Sequence, residues 1–347
     1  MNRKNIIGPD LNDRQLKVLY CVVKQYIENG KPVSSKQVLE YSNLDYSSAT
    51  IRNDMRKLEF LNYIHHPHIS AGRIPTDKGL RFYYDSIEKL SSETKEESAE
   101  ISLRRVAIIA DIDRLLTGTT RLLAGLTRCL VIAEKPDLDK LKVKHISISP
   151  VTDHYLNVTV ITELGVTKNS AVNATFDYDE LSEFEKRVNE IVVGKRIQEI
   201  KEGLRNVTFE NDSWYSERFE RLFQFMENVF ENENLDRYEK YGLEYILGSD
   251  KLSIKDMVSI AKYVENSRRL EDLMSELINS NEEVTLIGSE IGRNDLKSFS
   301  FLSSPYGNQH LKLGTVVVVT PKIIEYERIL GYLRYGVNRL SEILSNR

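Results

Sequence analysis

Three short amphipathic segments, each opened by a polar capping residue, follow one another within the first 60 residues, and they constrain the fold of the N-terminal region most strongly. The first opens at Asn12-Asp13-Arg14-Gln15 and carries apolar side chains at helical spacing until Gly30. The second starts after Ser34 and ends at Ser42-Asn43, and the third opens at Ser47-Ser48. Three helices at this spacing predict a helix-turn-helix.

The third helix has two chemically different faces. Ile51, Met55 and Leu58 recur at intervals of four and three residues, which predicts that this face is buried. The other positions carry hydrogen-bond donors or other polar groups, namely Thr50, Arg52, Asn53, Arg56 and Lys57. We therefore expect an outward surface that reads a DNA groove.

A short hairpin is predicted directly after the third helix. Two short segments with strand-like residues follow each other here, at Tyr63 to His66 and at Ile69 to Ile74, and the second contains Gly72 and Arg73. This pattern predicts a two-stranded wing whose tip needs glycine. A further helix is expected from Thr76 onwards.

The charge is divided unevenly along the chain. The formal net charge is -4, which by itself disfavours a nucleic-acid ligand. Residues 1–85, however, hold 13 Lys and Arg against 9 Asp and Glu, whereas the remainder holds 35 against 43. The positive N-terminal end is therefore the DNA-binding candidate.

The length of 347 residues predicts two or three domains. The polar run from Ser91 to Glu100 has the composition of a linker. The predicted elements beyond it, listed in order, are a helix at Leu103–Leu126, an apolar run at Cys129–Ala133, an antiparallel meander at Lys144–Ser149, Tyr155–Thr162 and Val166–Val172, helices between Asp179 and Gly248, a helix at Ile254–Asn279, strands at Val284–Gly288, Phe299–Leu302 and Gly314–Thr320, and a closing helix at Ile323–Leu344. The expected class is a multidomain α+β fold.

Several classes of function are disfavoured by what the sequence lacks. The two cysteines, Cys21 and Cys129, are too few and too far apart for a disulfide framework or a thiol redox motif. The neighbouring His65, His66 and His68 invite a metal hypothesis, but adjacent strand residues point to opposite faces, so neither a metal nor a cofactor is predicted. No apolar run spans a bilayer and no secretory signal is visible, which predicts a cytoplasmic protein.

Long ordered strings resemble one known family. Ser47–Glu59 (SSATIRNDMRKLE) resembles a helix seen in several winged-helix repressors. Gly30–Val38 (GKPVSSKQV) and Pro67–Asp85 (PHISAGRIPTDKGLRFYYD) are similar to the heat-inducible transcription repressor HrcA family. Further matching residues follow in the expected order, namely Ile287-Gly288-Ser289-Glu290, Tyr306, Gly314-Thr315 and Tyr326. One departure is Thr320–Ile324 (TPKII), where the family commonly has a Gly-Pro-Thr-Arg-Met-like run.

The resemblance implies three domains and a function. It implies a winged-helix domain at 1–90, a linker at 91–102, a GAF-like domain at 103–139 and 251–347, and an inserted dimerising domain at 140–250 with the meander and the helices after it. Such repressors bind an inverted repeat, the CIRCE operator, upstream of chaperone operons. Their active form is maintained by the GroE chaperonin, GroEL with GroES.

Helix-turn-helix geometry places the start of the third helix in the major groove. The predicted DNA-binding residues are Lys36, Ser47, Ser48, Thr50, Arg52, Asn53, Arg56, Lys57 and Arg73. Arginine bonds guanine and Asn53 bonds adenine, whereas the serines and Thr50 suit phosphate. The alternatives are a salt bridge from Arg52 to Glu59 or Asp54, and simple solvation of Lys36 and Arg73.

A helical aromatic stripe is the candidate dimer interface. It contains Trp214, Phe219, Phe223, Met226 and Phe230, for which core packing is the alternative. Two rival functions stay open: a regulator whose GAF-like domain binds a small molecule, and an enzyme with a DNA-binding head. The enzyme is disfavoured because no Walker A, G-x-G-x-x-G, H-E-x-x-H or G-x-S-x-G motif is present.

Overall fold

The computed structural model describes residues 11–42, 45–68, 72–88, 112–173, 178–205, 237–278, 280–307 and 311–345. Its helices are α1 (Asp13–Asn29), α2 (Ser35–Ser42), α3 (Ser48–Phe60), α4 (Asp77–Glu88), α5 (Ile112–Thr127), α6 (Tyr178–Val192), α7 (Ile197–Arg205), α8 (Leu243–Leu247), α9 (Ile254–Glu265), α10 (Ser267–Ile278) and α11 (Tyr326–Ser345). Its strands are β1 (Ile64–His65), β2 (Ile74–Pro75), β3 (Leu130–Glu134), β4 (Val143–Thr152), β5 (Tyr155–Thr162), β6 (Thr167–Asn173), β7 (Tyr238–Tyr241), β8 (Val284–Ile287), β9 (Phe299–Gly307) and β10 (Lys312–Pro321).

Residues 11–88, which we call the head, contain α1 to α4 and the antiparallel pair β1–β2. The predicted helix starts are confirmed by their caps. Asn12 and Gln15 form a reciprocal capping box at the start of α1, and Gly30 ends this helix with a φ of 65°. Ser47 caps α3 by accepting a hydrogen bond from the Thr50 amide.

The larger sheet has five antiparallel strands in the order β7-β3-β10-β9-β8, and we call this sheet with its helices the body. Alternation along β10 divides its side chains between two cores. Val316 and Val318 face α5 and α11, whereas Val317 and Val319 face α9 and α10. The first of these cores continues into the head, so that one apolar cluster contains buried residues of both.

The predicted meander is confirmed as the sheet β4-β5-β6. Its buried face packs on α6 and α7 in a separate apolar cluster. The edge strand β4 is fastened to α6 by side chains, because Asn189 accepts the Ile146 amide and Glu185 accepts the Ile148 amide, each at 2.8 Å. The mixed class of helices and antiparallel sheets is as predicted.

Three predicted elements differ from the structure. Tyr238–Tyr241, in the range predicted to be helical up to Gly248, is a strand that pairs with β3. The single helix expected at 254–279 is two helices, because Asn266 leaves the helical conformation and caps α10 through the Arg269 amide. The closing helix begins at Tyr326 rather than Ile323. The predicted helix at Leu103–Leu126 is present from Ile112 onwards, and its predicted start lies outside the described residues.

Two predictions fall on undescribed parts of the chain. The linker at 91–102 and the stripe of Trp214, Phe219, Phe223, Met226 and Phe230 lie outside the described residues. Within the described residues, no helix is both long and apolar enough to cross a membrane.

Candidate DNA-binding surface

The candidate recognition helix is α3, and its inner face is buried as predicted. Ile51 and Leu58 are fully buried and Met55 is almost so. Asp54 shares this face, and its side chain is only 4% exposed. A buried carboxylate is costly without hydrogen-bonding partners. The residues that bind Asp54 therefore fix the position of α3.

Asp54 is bound by the start of α1. Arg14 donates to both carboxylate oxygens, with Nε 2.6 Å from Oδ2 and Nη2 3.1 Å from Oδ1, and Gln15 adds a third hydrogen bond at 3.3 Å. The Arg14 guanidinium also lies 5.0 Å from the ring centroid of Tyr46, just before the Ser47 cap. This network joins α1, the turn before α3 and the middle of α3.

The outer face of α3 presents a set of exposed hydrogen-bond donors. Arg52, Asn53, Arg56 and Lys57 are all exposed, and none of their side chains forms a hydrogen bond or ion pair with any described residue. The alternative partners proposed for Arg52 are occupied, because Asp54 binds Arg14 and Glu59 binds Arg73. The four side chains are therefore available to an external ligand.

The hydroxyl residues at the start of α3 are already bonded once, with Ser47 and Ser48 exposed and Thr50 half-buried. Ser47 contacts both the amide and the hydroxyl of Thr50, and Ser48 lies 3.2 Å from the hydroxyl of Ser35 on α2. These bonds fix the N-terminus of the helix while each hydroxyl keeps further hydrogen-bonding capacity. Lys36 is also exposed and pairs with Glu40 one turn later at 3.6 Å.

The wing is built as predicted from β1 and β2, with Ile64 paired to Pro75 and His65 to Ile74. A third segment joins it, because the amides of Val33 and Arg73 each donate to the other residue's carbonyl at 2.8 Å. Gly72 belongs to this contact. A Cβ atom there would lie 2.5 Å from the Val33 carbonyl carbon, so glycine is needed for close packing.

Arg73 lies in the connection between β1 and β2, but its side chain is more buried than a groove contact requires. It directly precedes β2, its side chain is 13% exposed, and its guanidinium binds Glu59 at 2.9 Å and the Nδ1 atom of His66 at 2.9 Å. The backbone pairing with Val33 holds Arg73 in this inward position. A DNA contact by Arg73 stays a prediction and requires this cluster to open.

The histidines near the wing are divided as strand alternation predicts. His65 is exposed, whereas His66 faces Arg73 and Glu59. Among the described residues, no three metal-ligating side chains lie close enough together to hold an ion.

Sequence reasoning missed Arg14 and Tyr46 as parts of the site. A signal for Arg14 was present, because Asp54 lies three residues after Ile51 and four before Leu58, on the predicted buried face. A buried acid needs a basic or hydrogen-bonding partner.

The C-terminal part of the chain matches a family model described as the HrcA protein C-terminal domain over residues 113–330. The chain belongs to the HrcA family. It is 40% identical over 338 residues to the heat-inducible transcription repressor HrcA of Thermotoga neapolitana, which covers 97% of this chain and 95% of that protein. The HrcA of Thermotoga maritima is 39% identical over 347 residues, covering 100% of this chain and 98% of that one.

A solved structure agrees with the fold. A crystal structure described as that of a hypothetical protein is 37% identical, covers 97% of this chain and 99% of its own, and superposes with a TM-score of 0.69. As a member of the HrcA family, the protein belongs among transcription repressors rather than enzymes. The family resemblance of the head and C-terminal strings is thereby confirmed.

Proposed function

We propose that this protein represses chaperone operons by binding an inverted-repeat operator of the CIRCE type as a homodimer. In this proposal the head is a winged helix, the body is GAF-like, and the three-stranded unit with α6 and α7 belongs to an inserted dimerising domain. The insert would end before Tyr238, since β7 pairs with β3 in the body.

The observation that carries the proposal is the outer face of α3. The side chains of Arg52, Asn53, Arg56 and Lys57 are exposed and have no partner among the described residues, on a helix whose opposite face is fixed by the Arg14–Asp54 pair. A rigid helix that presents two arginines and an asparagine matches the donors that read guanine and adenine in the major groove. Ser47, Ser48, Thr50 and Lys36 border this face and suit phosphate contacts.

A dimer follows from the chemistry of recognition. One helix reads only a few base pairs, and each mismatch costs about 1–3 kcal/mol, so two half-sites are needed for selective binding. The stripe from Trp214 to Phe230 remains our candidate interface for this dimer. The relatives are named heat-inducible, and we propose the GroE chaperonin as the partner that maintains the active conformation. Function on DNA would place the protein in the cytoplasm, at the nucleoid.

Titration of the purified protein onto three duplexes tests the proposal. One duplex carries the inverted repeat, one a single half-site and one a scrambled sequence, each measured at two salt concentrations. We expect tight binding to the repeat and weaker, strongly salt-dependent binding to the scrambled duplex. Arg52→Ala should weaken binding to the repeat by about 1–3 kcal/mol without lowering the melting temperature, because the Arg52 side chain has no partner in the part of the chain that the structure describes.

A matched control removes a charge far from the head. Arg339 on α11 pairs only with the exposed Glu342 in the described structure, so Arg339→Ala should leave the affinity for the repeat unchanged. Equal binding of wild-type protein to the repeat and the scrambled duplex would mean that the head binds DNA only through non-specific electrostatic attraction, and it would refute operator recognition.

A further inference from the structure

Helix α4 is attached at its start to the recognition helix. The Thr76 hydroxyl donates to the Asn62 carbonyl at 2.7 Å, in the turn after α3, and Lys78 donates to the Leu61 carbonyl at 3.0 Å. Gly79 lets α4 pack directly on Tyr63, the residue before β1, because a Cβ atom there would overlap the Tyr63 carbonyl oxygen. These contacts couple the position of α4 to the end of α3.

The same helix is bound to the body by charged side chains spaced one turn apart. Asp77 accepts from Lys322 at 2.6 Å and from the Ser289 amide at 2.8 Å. Arg81 binds Glu290 through two nitrogens and donates to the Thr285 carbonyl at 2.5 Å. The Arg81 side chain is 16% exposed, so these charge-assisted bonds are largely shielded from water.

An aromatic contact continues this attachment farther along α4. The hydroxyl of Thr285 donates to Tyr84 at 2.8 Å, and the ring of Tyr84 meets that of Tyr326 edge to face, with centroids 5.8 Å apart. Both tyrosines are buried, and Tyr326 is also bonded to Ser300 in the body sheet. Apolar burial thus reinforces the ionic contacts.

The backbone of the body is shaped to accept α4. Gly288 has a φ of 57°, and a Cβ atom on it would lie within 2.6 Å of the Asp77 carboxylate. Position 288 therefore favours glycine for two reasons: its backbone is left-handed, and the Asp77 carboxylate lies too close for a side chain. The segment Ile287–Glu290 and the N-terminal half of α4 were both among the strings that resemble the family, and the structure places them in direct contact.

We infer that Asp77, Arg81 and Tyr84 are positioning residues that hold the head in one orientation on the body and so set how two heads of a dimer meet two half-sites. The inference rests on the proposed operator binding. A single half-site needs only the outer surface of α3, and none of these three side chains forms a hydrogen bond or ion pair with a described residue of α3. An inverted repeat also needs a fixed separation between two recognition helices, by multiples of about 34–36 Å.

Looser attachment should therefore weaken binding to the repeat while leaving half-site binding unchanged. Asp77→Asn and Arg81→Gln remove the ionic contacts with little change in side-chain volume. Arg339→Gln is the matched control, since it removes an exposed ion pair on α11. Lys322→Gln removes only one partner of Asp77, and its half-exposed position makes it the variant least prone to misfold.

The experiment measures the ratio of repeat affinity to half-site affinity for each variant, together with hydrogen exchange of residues 77–88 and 284–291. We expect the ratio to fall about tenfold in Arg81→Gln, exchange to rise in both segments, and the control to match wild type. A merely destabilised head would lose half-site affinity as well, and that outcome would overturn the inference.

Two other results also contradict it. An unchanged ratio despite faster exchange would mean that head orientation does not limit operator binding. A higher affinity for the repeat would mean that the attachment holds the heads in an unproductive orientation. Failure of the wild-type protein to prefer the repeat is a distinct result, because it refutes the proposed function itself.

Discussion

At the scale of single residues, the charged side chains of the head fall into two groups that composition cannot separate. Arg52 and Arg56 are exposed and contact no acid in the described ranges, whereas Arg14 and Arg73 are bonded to acids of α3. Arg52 and Arg56 are therefore available to DNA, whereas Arg14 and Arg73 have a structural role. A substitution in each group should therefore affect a different property.

Arg73→Ala should lower stability rather than abolish recognition. It removes a mostly buried guanidinium from Glu59 and His66, and we expect the head to lose about 1–2 kcal/mol of unfolding free energy. Thermal and urea denaturation followed by circular dichroism measure this loss. If stability were unchanged while the salt dependence of DNA binding fell, Arg73 would instead be a phosphate contact, as the sequence suggested.

At the scale of elements, local signals were sufficient for most of the fold and long-range pairing was not. The caps of α1 and α3 and the buried stripe of α3 depend on residues within one or two turns, so they could be read directly. The strand β7 could not, because Tyr238–Tyr241 is short and mostly polar and becomes a strand by pairing with β3, more than 100 residues earlier.

The candidate site shows the same division. The outward face of α3 follows from helical periodicity, and its exposure was predicted correctly. The burial of the Arg73 side chain was not predicted, because it depends on backbone pairing with Val33, about 40 residues earlier. The pairing of Arg14 with Asp54, likewise 40 residues apart, sets the orientation of α3. Its only signal in the sequence is the acidic residue on the predicted buried face of this helix.

The wing provides the prediction that belongs to this scale. Gly72→Ala should cost about 1–3 kcal/mol of unfolding free energy, because its Cβ would press on the backbone of Val33, which cannot move aside like a side chain. Gly125→Ala is the matched control. Gly125 is an exposed helical position in α5 with open space around it, so alanine there should stabilise by up to about 1 kcal/mol.

Denaturation curves of the two variants distinguish the explanations. A loss confined to Gly72→Ala supports close packing of the wing on the segment before α2. Equal effects from both substitutions would point to a general property of glycine replacement and would refute the specific contact.

At the scale of the whole molecule, α4 connects the head to the body through direct contacts with both. Its N-terminal residues bond the turn after α3, while one face contacts a turn, the strand β8, Lys322 after β10 and the helix α11 of the body. A change in the body can reach the recognition helix through this path without unfolding any element. Regulation of such a repressor then needs only a small free-energy difference between two head orientations.

The attachment of α4 should also make stability depend on pH. Burial by itself would raise the pKa of Asp77, but hydrogen bonds from Lys322 and Ser289 outweigh it and hold this pKa below its ordinary value of 3.8. Because the folded pKa lies below the unfolded one, the ionised carboxylate stabilises the fold above about pH 4, and this contribution is lost as pH falls through the folded pKa.

The difference in unfolding free energy between wild type and Asp77→Asn, measured from pH 7 to pH 2.5, isolates this contribution. We expect about 1–2 kcal/mol at neutral pH, since asparagine keeps an acceptor for Ser289 but loses the charge that attracts Lys322. The difference should shrink below pH 4, because protonated aspartic acid and asparagine are then both neutral. If it instead stayed constant throughout, the effect would come from packing around Gly288, and the ionic contact with Lys322 would contribute nothing to the attachment of the head.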